Sequence, residues 1–262
     1  VILVALVSLV PTLTLARGSN ADTADPNLHV NPNLKDCSVQ FAPELTQEAF
    51  GRFVREFGSV SAFKMMAPPA TLGRKHVAVE IQQLNFTVDE HSDAWNDTFY
   101  HPTAYHELGS DKSFPMLRVR AGVSDNVDVG AFYSANPNAN YGWFGLDVKY
   151  AMLRQSERTP VTLALRGAYT KTLYVDEMDM HTVTADIAAG HAFRNLITPY
   201  VGLGADGVLA RETSQAVNLQ TETQFVPHAV GGLELRFWHV ALGGEVQVAA
   251  LTSLQLQVTG LF

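Results

Sequence analysis

The chain has 262 residues, with 18 Lys plus Arg against 26 Asp plus Glu and a formal net charge of −8. No basic run exists to track phosphates, so a nucleic-acid binder is excluded. Charged residues make up 17%, below the roughly 25% of soluble domains, and 19 glycines accompany many uncharged polar residues, a composition that points to β structure.

From the amino terminus, VILVALVSLVPTLTLA followed by Ser19-Asn20-Ala21 has the apolar run and small residues of a secretory signal peptide, so residues 1–21 are expected to be one. The run is too short for a membrane-spanning helix and contains Pro11,. Residues 22–74 are expected to be a linker carrying one short amphipathic helix. Within it, 22–43 is rich in Asp, Asn and Pro and has no period. Cys37 is the single cysteine, which excludes an intramolecular disulfide and a thiolate metal cluster. In 44–57, Leu45, Ala49, Phe53 and Phe57 recur at four-residue steps beside Phe50 and Val54, with Thr46 or Glu44 as cap,. The plain expectation is a helix packed against one end of the main domain; a plug inside a barrel or a membrane-surface helix is the alternative. Pro68-Pro69 breaks the chain before the main domain, 75–262.

Ten strands follow by period-two alternation, near 75–87, 114–124, 126–134, 140–154, 159–171, 180–193, 198–210, 224–237, 239–249 and 252–262,. Each is long enough to cross a bilayer at a tilt. Phe144, Leu146, Val148 and Tyr150 alternate with Gly145, Asp147 and Lys149, and Leu254, Leu256 and Val258 alternate with Gln255 and Gln257. Alternation alone fits a soluble barrel with apolar residues inside or a membrane barrel with them outside. The connections decide the direction: tight turns alternate with longer loops, the last short connection excepted, as in outer-membrane barrels. Phe193, Tyr200, Phe237, Trp238 and Phe262 are expected as an aromatic belt at the tight-turn end, and Tyr133, Tyr141, Trp143, Tyr169 and Tyr174 as a second belt at the long-loop end. The polar face carries Glu80, Arg118, Arg120, Asp128, Asp147, Lys149, Arg166, Asp186, Asp206, Glu234, Arg236 and Glu245, a mixed-sign set that a narrow lumen would pair off as salt bridges. Gly202, Gly204, Ala164, Ala188 and Gly145 leave room between them for a narrow passage.

A signal peptide, an even number of alternating strands and a last strand ending in Phe262 together resemble the bacterial outer-membrane β-barrel superfamily. The resemblance covers about 75–262. It implies that Leu256, Val258, Gly260 and Phe262 form the signal read by the barrel-assembly machinery, and it implies the bacterial outer membrane as location.

Two acidic clusters lie in loops, DEHSDAWND with Asp89, Glu90, His91, Asp93 and Asp97, and DEMDMH with Asp176, Glu177, Asp179 and His181. Asp179 and His181 match the spacing of the Asp-His pair of the omptin family of outer-membrane proteases, but Asp89 and Asp93 do not supply its second acidic pair. His91, His101, His106 and His181 lack metal-ligand spacing, so no metal and no cofactor are expected. The fold expected is all-β, an antiparallel up-and-down transmembrane barrel of about ten strands (8–12) with a short N-terminal helix. The function expected is non-enzymatic, either structural or adhesive or a narrow passage for small solutes, with membrane lipid and the assembly machinery as partners. An omptin-like surface hydrolase using Asp179 and His181 and a soluble ligand-binding barrel are the alternatives.

Overall fold

A computed structural model describes residues 31, 33–100 and 108–262; the expected signal peptide and His101 and His106 lie outside the described residues. In chain order the elements are β1 (Ser38–Val39), α1 (Gln47–Ser61), β2 (Val77–Thr87), α2 (Asp93–Asn96), β3 (Phe99–Tyr100), β4 (Asp111–Gly122), β5 (Val127–Ala135), β6 (Gly142–Leu153), β7 (Thr162–Leu173), β8 (Met178–Gly190), β9 (Ile197–Glu212), β10 (Glu222–Phe237), β11 (Val240–Val248) and β12 (Thr252–Leu261).

β2 and β4 to β12 close into one antiparallel barrel in which each strand pairs with the next, and β12 returns to β2 with Val258 opposite Ile81. The ten alternating segments are these ten strands, each boundary within three residues of its expected place. Register is set by the two-sided pattern, since a one-residue slip would turn the charged face to the apolar side. One end carries the short connections. Trp238 adopts φ +57° between β10 and β11, and Arg194 and Asn195 adopt +52° and +56° between β8 and β9, the left-handed geometry that tight hairpins require. The other end carries the longer connections, including 88–110 and 213–221.

Within the stretch expected as a linker carrying a short helix, residues 38–74 are packed against the barrel. The helix starts at Gln47, where Thr46 accepts the Ala49 N–H at 3.2 Å as N-cap,, and it runs four residues past its expected end, to Ser61. It lies inside the long-loop end of the barrel against β8, β9 and β10, so the alternative expectation, a plug, describes it better than a helix laid on one end. Gly58 meets the Val208 side chain so closely that a Cβ would sit 2.6 Å from it. From Ala62 the chain runs without regular secondary structure, with Met66 at φ +48°, through the lumen to the tight-turn end. There Gly73, at φ +84°, brings its carbonyl to within 1.8 Å of where a Gly122 Cβ would stand. The lumen has two storeys. Toward the long loops it holds an apolar core of Phe50, Phe53, Phe57, Phe86, Trp95, Phe114, Trp143, Met180 and Val208; toward the tight turns it holds the charged side chains.

Candidate functional site in the barrel lumen

Strand alternation delivers the charges to one place. Every second residue of a strand points inward, so Glu80 on β2, Arg118 and Arg120 on β4, Asp128 on β5, Asp147 and Lys149 on β6 and Arg166 on β7 are all buried. Asp186, Asp206, Glu234 and Glu245 on β8 to β11 complete the set. All but Glu234 and Glu245 join one chain of ion pairs. Lys149 lies 3.4 Å from Asp128, which is 3.9 Å from Arg120; Arg120 donates to Glu80 at 2.5 Å; Glu80 is 3.6 Å from Arg118. Arg118 donates to Asp147 at 2.9 Å, Asp147 accepts from Arg166 at 3.2 Å, and Arg166 donates to Asp186 at 2.6 Å. His228, 2.6 Å from Asp186 and 3.1 Å from Asp206, carries the chain onward. Arg236 departs from the expectation: its side chain is 44% exposed at the tight-turn rim, 3.6 Å from Glu234, because it stands at the end of β10, where the wall meets solvent.

The network grips the chain's own residues 62–74. Arg118 donates to the Met65 carbonyl at 2.8 Å, and Lys149 donates to those of Pro68 at 3.0 Å and Ala70 at 2.8 Å. In the opposite sense, Glu245 accepts the Met66 N–H at 2.9 Å and Asp128 accepts that of Leu72 at 3.0 Å. Thr170 accepts the Phe63 N–H at 3.1 Å. The Phe63 ring lies under both guanidinium groups, 4.6 Å from Arg118 and 5.2 Å from Arg166, and packs on Phe132 at 4.4 Å, with cation–π attraction from each. Of the small residues expected to leave a passage, Gly202 and Ala188 make room for this segment: a Cβ on Gly202 would be 3.2 Å from the Met65 methyl, and Met65 packs with Ala188, Tyr200 and Val230, whereas Gly145 and Gly204 make room for Phe132 and for Asp186 and His228. Near the tight-turn mouth a cavity of about 90 Å³ remains between Pro68, Ala70, Leu72, Arg120, Glu234 and Arg236. Lys64 and Tyr200, whose hydroxyl donates to Glu245 at 2.9 Å, belong to this storey and were missed. For Tyr200 the signal was present, since it shares the parity of Gly202, Gly204 and Asp206.

The outer wall has the opposite character. Leu254 is 45% exposed and Leu256 and Val258 51% each, while Gln255 and Gln257 between them are buried. The same holds around the barrel for Val119, Leu146, Val148, Leu165, Ile187, Leu203 and Val246. A contiguous apolar wall of this extent requires an apolar solvent. The chain is a transmembrane β-barrel of ten antiparallel strands. A soluble barrel with an apolar ligand inside is thereby overturned, because the apolar face points out and the lumen is charged.

This transmembrane barrel has both aromatic belts, with three members reassigned. Phe193, Phe237, Trp238 and Phe262 are exposed at the tight-turn end, and Tyr133, Tyr169 and Tyr174 at the other, joined by Phe144 and Phe225. Tyr200, Tyr141 and Trp143 are buried inside. Burial among aromatic neighbours pushes the Tyr141 hydroxyl up to about 12,.

The long-loop mouth is closed by a folded cap. Trp95 donates its indole N–H to Glu56 at 2.6 Å, and Arg52 donates to the other Glu56 oxygen at 2.9 Å, which ties α1 to α2. Hydrogen bonding and charge from Glu56 hold the Arg52 guanidinium above its ordinary range. Upstream, β1 pairs with β3, the Asn140 side chain bonds both backbone groups of Val39 at 2.7 and 2.8 Å, and Glu177 accepts the Phe41 N–H at 3.3 Å.

Asp179 and His181 stand 3.3 Å apart, with Lys171 3.4 Å from Asp179 and the Tyr169 hydroxyl 2.6 Å from His181. They share the outward parity of Val183 on β8, so they lie on the wall and not in the mouth. Asp89 is 3.9 Å from Arg52 and does not approach them. Among the described residues no group of three or more His, Cys, Asp or Glu is placed to hold a metal ion.

No protein-family model and no curated protein matches the chain. Solved structures similar to it include an outer membrane channel from Pseudomonas putida F1, at 11% identity and a TM-score of 0.47, covering 74% of this chain and 97% of that one. Another is the Yersinia pestis outer membrane protein Ail in a phospholipid bilayer nanodisc, at 11% identity and 0.35, covering 72% and 100%. A third is Neisserial surface protein A, at 9% and 0.30, covering 71% and 95%.

Proposed function

We propose that this protein is a non-enzymatic, integral outer-membrane barrel with a structural or adhesive role, sealed by its own residues 62–74 and not a passage for solutes. The observation that carries this reading is the seating of that segment: charges that would line a pore are spent on its backbone and on one another. A closed lumen of ion pairs costs little beside lipid only when each charge is paired, and the chain of contacts from Lys149 to Asp206 meets that condition. Membrane lipid is the first partner, through the apolar wall. The barrel-assembly machinery is the second, reading Leu256, Val258, Gly260 and Phe262; the outward Leu256, Val258 and Phe262 support that assignment. Planar-bilayer recording of the purified protein tests the reading. The expected result is electrical silence, and a steady open-channel current with residues 62–74 intact would sink it.

A further inference from the structure

The path of residues 33–76 has a direction. Val77 at the start of β2 pairs with Phe262, its N–H reaching the Phe262 carbonyl at 2.9 Å, and the Lys75 N–H reaches Gly122 at 3.0 Å; both contacts lie at the tight-turn end. Moving backward along the chain, Leu72 is held by Asp128 near that same end, Met65 by Arg118 at mid-barrel, and Phe63 by Thr170 farther up. Gln47 then reaches the β9–β10 loop, where the Gln220 N–H donates to its side chain at 2.8 Å. Asp36 accepts from Asn136 in the β5–β6 loop at 2.9 Å. The chain therefore enters the lumen at one mouth and leaves at the other. Its contacts run from Thr170 toward the long loops, past Arg118, to Asp128 toward the tight turns, so 62–74 traverses the lumen inside the wall.

We propose that the barrel presents its N-terminal region on the cell surface: residues 62–74 are a tether through the lumen, and residues 33–61 form part of the exposed cap at the long-loop face. This rests on the outer-membrane reading above and on the long loops facing outward, as is usual in these barrels. Two features suit the segment to a tether. The barrel holds it largely by backbone carbonyls and N–H groups, with the side chains of Phe63, Met65 and Thr71 adding to the hold. The other is that α1 turns a polar face outward at the mouth, with Glu48, Arg52 and Arg55 exposed, while its apolar face is consumed by the barrel.

The test is surface labelling of cells carrying the full chain. An epitope inserted between Pro43 and Glu44, an exposed turn, is compared with one between Ser214 and Gln215 in the β9–β10 loop and one between Ser156 and Glu157 at the opposite mouth. Antibody is expected to bind the first two on intact cells and to gain at least tenfold on the third only after permeabilisation. Should the insertion at 43 disturb folding, Glu48→Cys in a Cys37→Ser background, labelled with a membrane-impermeant maleimide, reads the same face. The proposal is overturned if positions 43 and 48 are reached only after permeabilisation, whichever way the 214 and 156 epitopes point. Recovery of the protein in the soluble fraction would refute the membrane reading itself, and fractionation of the same cells keeps that failure distinct from a barrel that is inserted but hides its N-terminal region.

Discussion

Phe63→Ala is the sharpest probe of how the lumen segment is held. The ring is 3% exposed, tilted at 54° against Phe132 with centroids 4.4 Å apart, and covered by two guanidinium groups at 4.6 and 5.2 Å. Truncating a buried phenylalanine costs about 3–5 kcal/mol, and losing the cation–π attraction raises the total to about 4–6 kcal/mol. The loss should fall on the seat of residues 62–74 before it falls on the barrel, whose ladder does not involve Phe63. The Met66 and Leu72 amides, which donate to Glu245 and Asp128, report on that seat. If they exchange with solvent when the segment lets go, their hydrogen exchange should accelerate by about three to four orders of magnitude, at tenfold per 1.4 kcal/mol. Phe63→Leu keeps most of the volume and loses only the aromatic contacts, so roughly a tenfold acceleration is expected. An acceleration below tenfold in Phe63→Ala would refute the claim that the two arginines clamp the segment through this ring.

Glu56→Ala removes the acceptor shared by Trp95 and Arg52 and is expected to weaken the cap by about 1.5–3 kcal/mol. The thermal transition of tryptophan fluorescence reads this, and Glu56→Gln should recover part of the loss; an unaltered melt in Glu56→Ala would count against the link. Burial, followed by repulsion from Asp93 and Glu44, holds the Asp97 carboxyl above its ordinary range. The folded state therefore keeps that proton to higher pH than the unfolded chain, and the stabilisation present at low pH is lost as pH rises through the raised value. Asp97→Asn should thus gain stability over the native chain at pH 7 and little at pH 3, and equal melting shifts at both would exclude the effect. Deleting the chain through residue 72 empties a charged storey in which the strands contribute seven carboxylates against Arg118, Arg120, Lys149, Arg166 and His228. The variant should conduct with a preference for cations, measured as a reversal potential in a salt gradient; an anion preference, or silence from a folded barrel, would contradict the assignment.

The barrel was legible because period-two alternation is a local signal written in every strand. Gln255 between Leu254 and Leu256 needs no tertiary information to be assigned inward once the apolar side is known to meet lipid. Tyr200 and Trp143 were placed in the lipid-facing belts because they are aromatic and near strand ends, although each shares the parity of inward residues, Asp206 and Asp147 respectively. Arg236 has inward parity too, but it stands at the strand end, where the wall meets water and parity no longer fixes burial. The lumen segment was not legible in the same way. Residues 62–74 carry no period, and their hold is made by backbone groups whose partners are remote in sequence, such as Asp128 for Leu72 and Glu245 for Met66. Lys64, with its ammonium inside the barrel, looks in isolation like an ordinary surface lysine.

The segment also follows from the strand count. About eight strands enclose an interior that the wall's own side chains can fill. With ten, and with Gly130, Gly145, Gly202 and Gly204 among the inward positions, the wall leaves a gap as wide as a polypeptide. An empty gap of that kind beside Arg118, Arg166 and Asp147 would have to be filled by water or by more chain. Chain satisfies the charges at fixed geometry, because a backbone offers carbonyls to the basic side chains and N–H groups to the acidic ones. The same strand count explains the division of the lumen. Toward the long loops, where α1 helps exclude water, inward positions such as Phe86, Phe114 and Trp143 build an apolar core as in a soluble domain. Within the lower storey, where only one segment of chain fits, inward positions are charged. The glycines at the tight-turn exit have a related origin: Gly122 and Gly73 meet at a distance that no side chain could share, so the point where the tether leaves the lumen is fixed by two residues that lack one.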